Sequence, residues 1–250
     1  MAIFVKLLSY LEGKCIPQFR RICYNTTGIE PDREEGRMRI LYADDRVVVC
    51  VKPAGVLSTD EPGGMPERLR AVLGGDAVVR SVHRLDRVVG GLMVYALTRR
   101  AAADLSKQIE DGVFLKEYLA VVRGVTDAPA GTYIDHIHRD RQARKTVIVP
   151  EGTARSQLAV LDYRLLGVRD ELSLLGVTLH TGRTHQIRCQ LSGHGYPIAG
   201  DVKYGGAPLQ AGIALWSARL GFLHPRTGES MRFYLRPPEI APWDRFTEYD

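Results

Sequence analysis

The chain has 250 residues, 45% hydrophobic and 25% charged, and its 34 Lys and Arg against 29 Asp and Glu leave a net charge of +5. This balance excludes a collagenous, disordered or disulfide-dense chain, and the length suffices for a real core. The longest stretch free of Asp, Glu, Lys and Arg is the 15 residues Tyr204–Ala218, broken by glycines and Pro208. A membrane span needs roughly 20 apolar residues, so no membrane association is expected. Lys6 and Glu12 interrupt the apolar start that a leader would need. Cys15, Cys23, Cys50 and Cys189 lack the CxxC spacing of a zinc site and read as free thiols in the cytoplasm. The mild basic excess permits a nucleic-acid partner without requiring one.

Residues 1–37 read as an appendage, with Met38 a candidate physiological start, 38–240 as one domain and 241–250 as a C-terminal tail. In chain order, Arg39–Ala43 and Val47–Lys52 read as strands around an Asp44-Asp45 turn, and Glu67–Leu73 as a short helix stopped by Gly74-Gly75. Leu92–Leu97 is an apolar strand. Thr98 then suits the N-cap of a helix through Asp111, closed by Gly112, with Ala102, Leu105 and Ile109 on one face. Phe114–Val122, Lys145–Val149, Gln157–Leu166, Leu172–His180 and Met231–Leu235 follow as strands. Thr184–Leu191 suits a helix ending before Gly193. Many strands joined by short turns predict an α+β fold with a mixed, largely antiparallel sheet and flanking helices.

Four segments concentrate chemistry. Val82-His83-Arg84-Leu85-Asp86-Arg87 places four ionisable side chains in five positions, although a charged loop is often simply solvated. In the strand after Phe114, Lys116, Tyr118 and Ala120 share one face, and Tyr118 also fits a half-buried core position. His180 through Leu191 reads His-Thr-Gly-Arg-Thr-His-Gln-Ile-Arg-Cys-Gln-Leu. His180 and His185 have no carboxylate or thiolate nearby in sequence, so no metal site is expected. Gly195–Gly206, taken alone, is an ordered loop rich in tight turns.

Taken together, HRLD, K-E-Y, GRTHQIR and G-x-P-I-x-G-D-x-x-Y-G, in this order, resemble the RluA-type pseudouridine synthases. Val51-Lys52-Pro53-Ala54-Gly55 resembles that family's KPAG segment, and His224-Pro225-Arg226-Thr227-Gly228-Glu229 its HP-x-TGE segment. The resemblance covers about residues 39–238. It implies the pseudouridine synthase fold with an active cleft across the sheet, and isomerisation of uridine to pseudouridine with no cofactor and no metal. It makes Asp86 the catalytic carboxylate, Arg188 its partner and Tyr118 the ring that stacks on the flipped base. Arg84 would enter the space the base vacates, with His83, Arg183, Thr184, His185 and Gln186 supporting or contacting RNA. The expected partner is structured rRNA or tRNA, not DNA, and the chain is expected to be a monomer. Residues 1–37 are too short for the S4-type RNA-binding domain that family members often carry. One departure stands out: the family's Thr-Ser after HRLD is replaced here by Val89-Gly90. It motivates an alternative reading, an RNA-binding protein that kept the cleft and lost turnover. Arg139, Arg141, Arg144 and Lys145 form a basic cluster that fits either a phosphate-contacting loop or a solvated hairpin.

Overall fold

The computed structural model describes residues 38–246. Eleven strands form one open sheet among them. β1 (Ile40–Ala43) and β2 (Val47–Lys52) make a hairpin. α1 (Met65–Leu73) and the two-residue β3 (Arg80–Ser81) lead to β4 (Gly90–Ala96), all seven residues of which are buried. α2 (Arg99–Glu110) follows, with Thr98 as N-cap: its side chain accepts a hydrogen bond from the Ala101 N–H at 3.1 Å. Then come β5 (Leu115–Arg123), β6 (Ala130–Asp140), β7 (Lys145–Val149), β8 (Gln157–Arg169) and β9 (Leu172–Leu179). α3 (Gln186–Gly193), β10 (Leu215–Leu223) and β11 (Ser230–Tyr234) complete the chain order.

The strand order is β1-β2-β4-β10-β5-β9-β8-β6-β7, with β11 beside β10 and β3 beside β4. All described pairings are antiparallel except β4 with β10, and that junction consists of two residue pairs, Gly90 with Trp216 and Gly91 with Ser217. It joins the β1-β2-β4 half of the sheet to the larger half. A Cβ on Gly90 would lie 2.6 Å from Cζ3 of Trp216, and one on Gly91 would lie 2.6 Å from the Ser217 nitrogen, with φ at +119°. Only glycine fits both the crowding and the backbone there. Val89, the other departure from the family wording, is buried in the main core at 2% exposure.

The core forms two large clusters. One packs Val48, Met93, Tyr95, Val121, Leu175, Ile187 and Leu191 across the sheet centre, while the other packs α2 through Ala101 and Leu105 onto Val49, Leu92, Phe114 and Phe222. Trp243 and Phe246 also belong to the first cluster, so the segment expected as a tail from 241 is folded onto the body as far as Phe246. The helix expected at Thr184–Leu191 is shifted to Gln186–Gly193: Thr184 and His185 form the turn before it, and Gly193 is its last residue, close against Ile148. β3, β6 and β10 are additional to the strands the sequence pattern predicts. Cys50 and Cys189 are free and buried, whereas Cys15 and Cys23, with the appendage 1–37, lie outside the described residues. No helix among the described residues is long and apolar enough to cross a membrane.

Candidate active site

Asp86 lies in the loop entering β4, and that loop is tied to the turn after β2. Lys52, fully buried, donates from Nζ to the carbonyls of Pro53 (2.9 Å), Val56 (2.7 Å) and Arg87 (3.2 Å). The Gly55 N–H donates to Arg87 O at 2.7 Å, and Ser58 Oγ to Leu85 O at 2.9 Å. The Lys-Pro-Ala-Gly segment therefore serves as the cradle of the Asp86 loop. Burial lowers the Lys52 pKa to about 8, against an opposing pull from the Asp86 charge.

From the opposite side, α3 presents Arg188. Its Nη1 donates to Asp86 Oδ2 at 3.0 Å, while Nε and Nη2 grip both oxygens of Asp201 at 2.7 and 2.8 Å. Arg188 is 6% exposed and Asp201 2%. The two-point grip fixes the guanidinium plane, and with it the direction from which Asp86 is held. Tyr204 adds a third constraint, with its ring 4.9 Å from the Arg188 guanidinium carbon.

Tyr204 and Arg139 together bear on the state of His185. The Tyr204 hydroxyl accepts the Thr146 N–H at 2.8 Å and lies 2.9 Å from His185 Nδ1, and Arg139, which can only donate, faces the same nitrogen at 3.4 Å, so the tautomer that accepts at Nδ1 satisfies both contacts. A ring that accepts at Nδ1 carries its proton on Nε2, and that nitrogen stands 3.8 Å from Asp86 Oδ2. Burial lowers the His185 pKa; the Asp86 charge opposes this, and Arg188, Arg139 and Lys203 reinforce it. The residue adopts left-handed backbone, φ 56°, just before α3, a conformation that non-glycine residues keep where structure elsewhere demands it.

Tyr118 reaches the cleft from β5, 6% exposed. Burial, and then the charge of Asp86, raise its pKa, so it is a phenol at neutral pH. Arg84, two residues before Asp86 in the same loop, is exposed. Arg183 and Thr184 are exposed in the turn before α3, where Arg183 Nε donates to Leu158 O and the Thr184 carbonyl accepts from Thr146 Oγ1. Two predicted residues are occupied by the chain itself. Gln186 is 3% exposed and bonds Thr181, the Arg183 N–H, Val160 O and Gln190. His83 lies against Phe114 and accepts the Val94 N–H on Nε2 at 3.1 Å. Burial, with Lys116 assisting, lowers its pKa to about 3.

Asp201, Tyr204, Lys52 and Arg139 join the site beyond the residues that the sequence predicts for it. Arg139, on β6, brings Nη1 to 3.4 Å from His185 Nδ1, so the basic hairpin β6–β7 borders the cleft. The HP-x-TGE segment serves elsewhere, as the turn between β10 and β11, where His224 Nε2 meets Asp44 at 2.7 Å. Among the described residues no three His, Cys, Asp or Glu side chains gather as a metal-binding group.

Residues 46–193 match the family model described as RNA pseudouridylate synthase. The chain is 35% identical over 214 residues to an uncharacterized RNA pseudouridine synthase of Bacillus subtilis, YlyB, covering 80% of this chain and 69% of that one. It is 32% identical over 229 residues to ribosomal large subunit pseudouridine synthase D of Zymomonas mobilis, covering 81% and 70%. The fold is similar to human RNA pseudouridylate synthase domain containing 1, with a TM-score of 0.69 at 24% identity over 86% of this chain and 88% of that one. The chain, with its carboxylate-guanidinium cleft, belongs to the RNA pseudouridine synthase family of isomerases.

Proposed function

We propose that the protein isomerises uridine to pseudouridine in structured rRNA or tRNA, with Asp86 as its catalytic carboxylate. The observation that carries this reading is the Asp86–Arg188 contact at 3.0 Å, with Arg188 locked by Asp201. The reaction breaks the bond from C1′ to N1 and forms one from C1′ to C5, while C5 loses a proton and N1 gains one. No electrons are exchanged. A stacked uridine cannot present C1′ and C5 to a carboxylate set in a cleft, so the nucleotide must flip out. Tyr118 then supplies a stacking face and, as a phenol, a hydroxyl that starts in the protonated state. Arg84, exposed and planar, suits the gap left in the RNA.

The test is tritium release from RNA labelled at uridine C5, using total RNA from a host strain lacking this gene. Wild type is expected to release tritium, and Asp86→Ala to do so at least about 10³-fold more slowly. Equal release by Asp86→Ala would overturn the role of Asp86. No release by folded wild type from any RNA class would favour the binding protein without turnover. Against that alternative stands the packing around Val89 and Gly90: one is buried in the core and the other fits under Trp216. Val89 and Gly90 are thus both accommodated by their surroundings in this chain.

A further inference from the structure

Lys116 is a buried cation that no step above uses. It is 8% exposed, and it makes no hydrogen bond or ion pair with any described residue. Its ammonium is not among the sealed, unpartnered atoms of the structure, so it retains access to solvent. Lys52 shows how this chain treats a buried lysine with a purely internal role: three carbonyls receive its ammonium. The Lys116 charge registers at His83, helping to lower its pKa, and that neutral ring offers no countercharge in return. Burial alone lowers the Lys116 pKa. A methionine or leucine would fill the same volume without that cost.

The position of the ammonium identifies what it lacks. Lys116 and Tyr118 point to the same face of β5, two residues apart, or about 7 Å along a strand. Nζ lies 3.6 Å from where a Cβ would sit on Gly182. Gly182 is exposed in the turn that carries Arg183, Thr184 and His185. The unpaired charge thus emerges at the lip of the cleft, beside the ring assigned to the flipped base. A flipped nucleotide brings its own anions, the phosphodiesters on either side of it. We propose that Lys116 binds a backbone phosphate adjacent to the uridine held at Asp86; this inference rests on the function proposed above. The contact is independent of base identity and pays the desolvation of the lysine back only when RNA is bound.

The test compares full-length wild type, Lys116→Met, Lys116→Gln and Lys116→Arg on C5-tritiated total RNA from the strain lacking the gene. Filter retention of the same RNA is measured in parallel across a salt series. Lys116→Met and Lys116→Gln are expected to raise KM about tenfold with kcat little changed. They should also flatten the slope of log affinity against log salt by about 0.7 to 0.9, the value of one phosphate contact. Lys116→Arg should restore most of both, and the melting temperature of Lys116→Met should equal or exceed wild type. A wild-type KM and salt slope in Lys116→Met would overturn the proposal, as would a fall confined to kcat. Unfolding of both neutral variants would overturn it too, by making the lysine structural. Retention reads the slope without turnover, so inactive wild type would sink the isomerase reading while the phosphate contact is judged separately.

Discussion

Arg188 and Lys116 are both buried cations at one cleft, 6% and 8% exposed. Arg188 is gripped by Asp201 at two points, touches Asp86 and lies under Tyr204. Lys116 has neither an ion pair nor a hydrogen bond among the described residues, and its neighbour His83 leaves Nδ1 buried and unpartnered. The difference separates two tasks. A cation that orients a carboxylate must hold one geometry before substrate arrives, so its other hydrogen bonds are satisfied by the chain. A cation that receives part of the substrate must stay available, so its partner is missing until binding.

The largest effect should come from making the Arg188 side resemble the Lys116 side. Asp201→Ala leaves a buried guanidinium with one carboxylate instead of two, which is expected to cost about 3 to 5 kcal/mol in urea unfolding. Tritium release should fall about 10²-fold, in kcat more than in KM, because Asp86 loses its fixed partner. Retention of wild-type kcat would show that Asp86 needs no such support.

A smaller effect probes the other side through acid. His83 is neutral in the fold, with its pKa pushed down from 6.5 to about 3, first by burial and then by Lys116. Between those values the unfolded chain binds more protons than the folded one, so stability falls as pH falls through this window. The His83 contribution should amount to about 2 kcal/mol lost between pH 7 and pH 5. His83→Gln retains an acceptor for the Val94 N–H but cannot titrate. Urea unfolding at the two pH values should therefore show a shallower loss than in wild type; an identical loss would assign the acid sensitivity elsewhere.

The smallest effect sharpens the satisfied side. Tyr204→Phe keeps the ring over Arg188 but removes the proton given to His185 and the acceptor for Thr146. Stability should drop by about 1 to 2 kcal/mol. kcat should fall about threefold to tenfold with KM unchanged. A kcat equal to wild type would make the His185 tautomer irrelevant to turnover.

Much of this organisation is legible in the sequence. The Thr98 cap, the strand Val47–Lys52 and the glycines Gly74 and Gly112 that close α1 and α2 follow from local chemistry, and the structure has them where the residues imply, whereas Gly193 falls inside α3. The segments carrying Asp86, Tyr118 and Arg188 each read, taken alone, as a solvated loop, a core strand or a helix start; their order along the chain and its resemblance to the RluA-type synthases are what single them out. β6 escaped notice because Thr132 through Asp140 mixes tyrosine, isoleucine, histidine and charge with no clean alternation; it runs along the outer part of the sheet, where partial exposure blurs the pattern. β10 was hidden by Gly221 and by a bulge after Ser217 that shifts its register. Asp201 and Tyr204 sit in a glycine-rich loop, 13 residues beyond Arg188 in the case of Asp201. No helix or strand period links such positions, so their roles appear only when the loop folds back on α3. Lys116 looked like one half of an alternating strand, and its want of a partner is visible only in three dimensions.

The two-pair junction at Gly90 and Gly91 has an engineering consequence. Position 90 and position 216 occupy one volume, since a Cβ on the first would press into the indole of the second at 2.6 Å. They form a single steric unit split between distant parts of the chain. Restoring the family's serine at 90 alone would therefore wedge the two halves of the sheet apart beside the Asp86 loop. A side chain introduced at 90 in this chain therefore calls for a smaller residue at 216 in the same step.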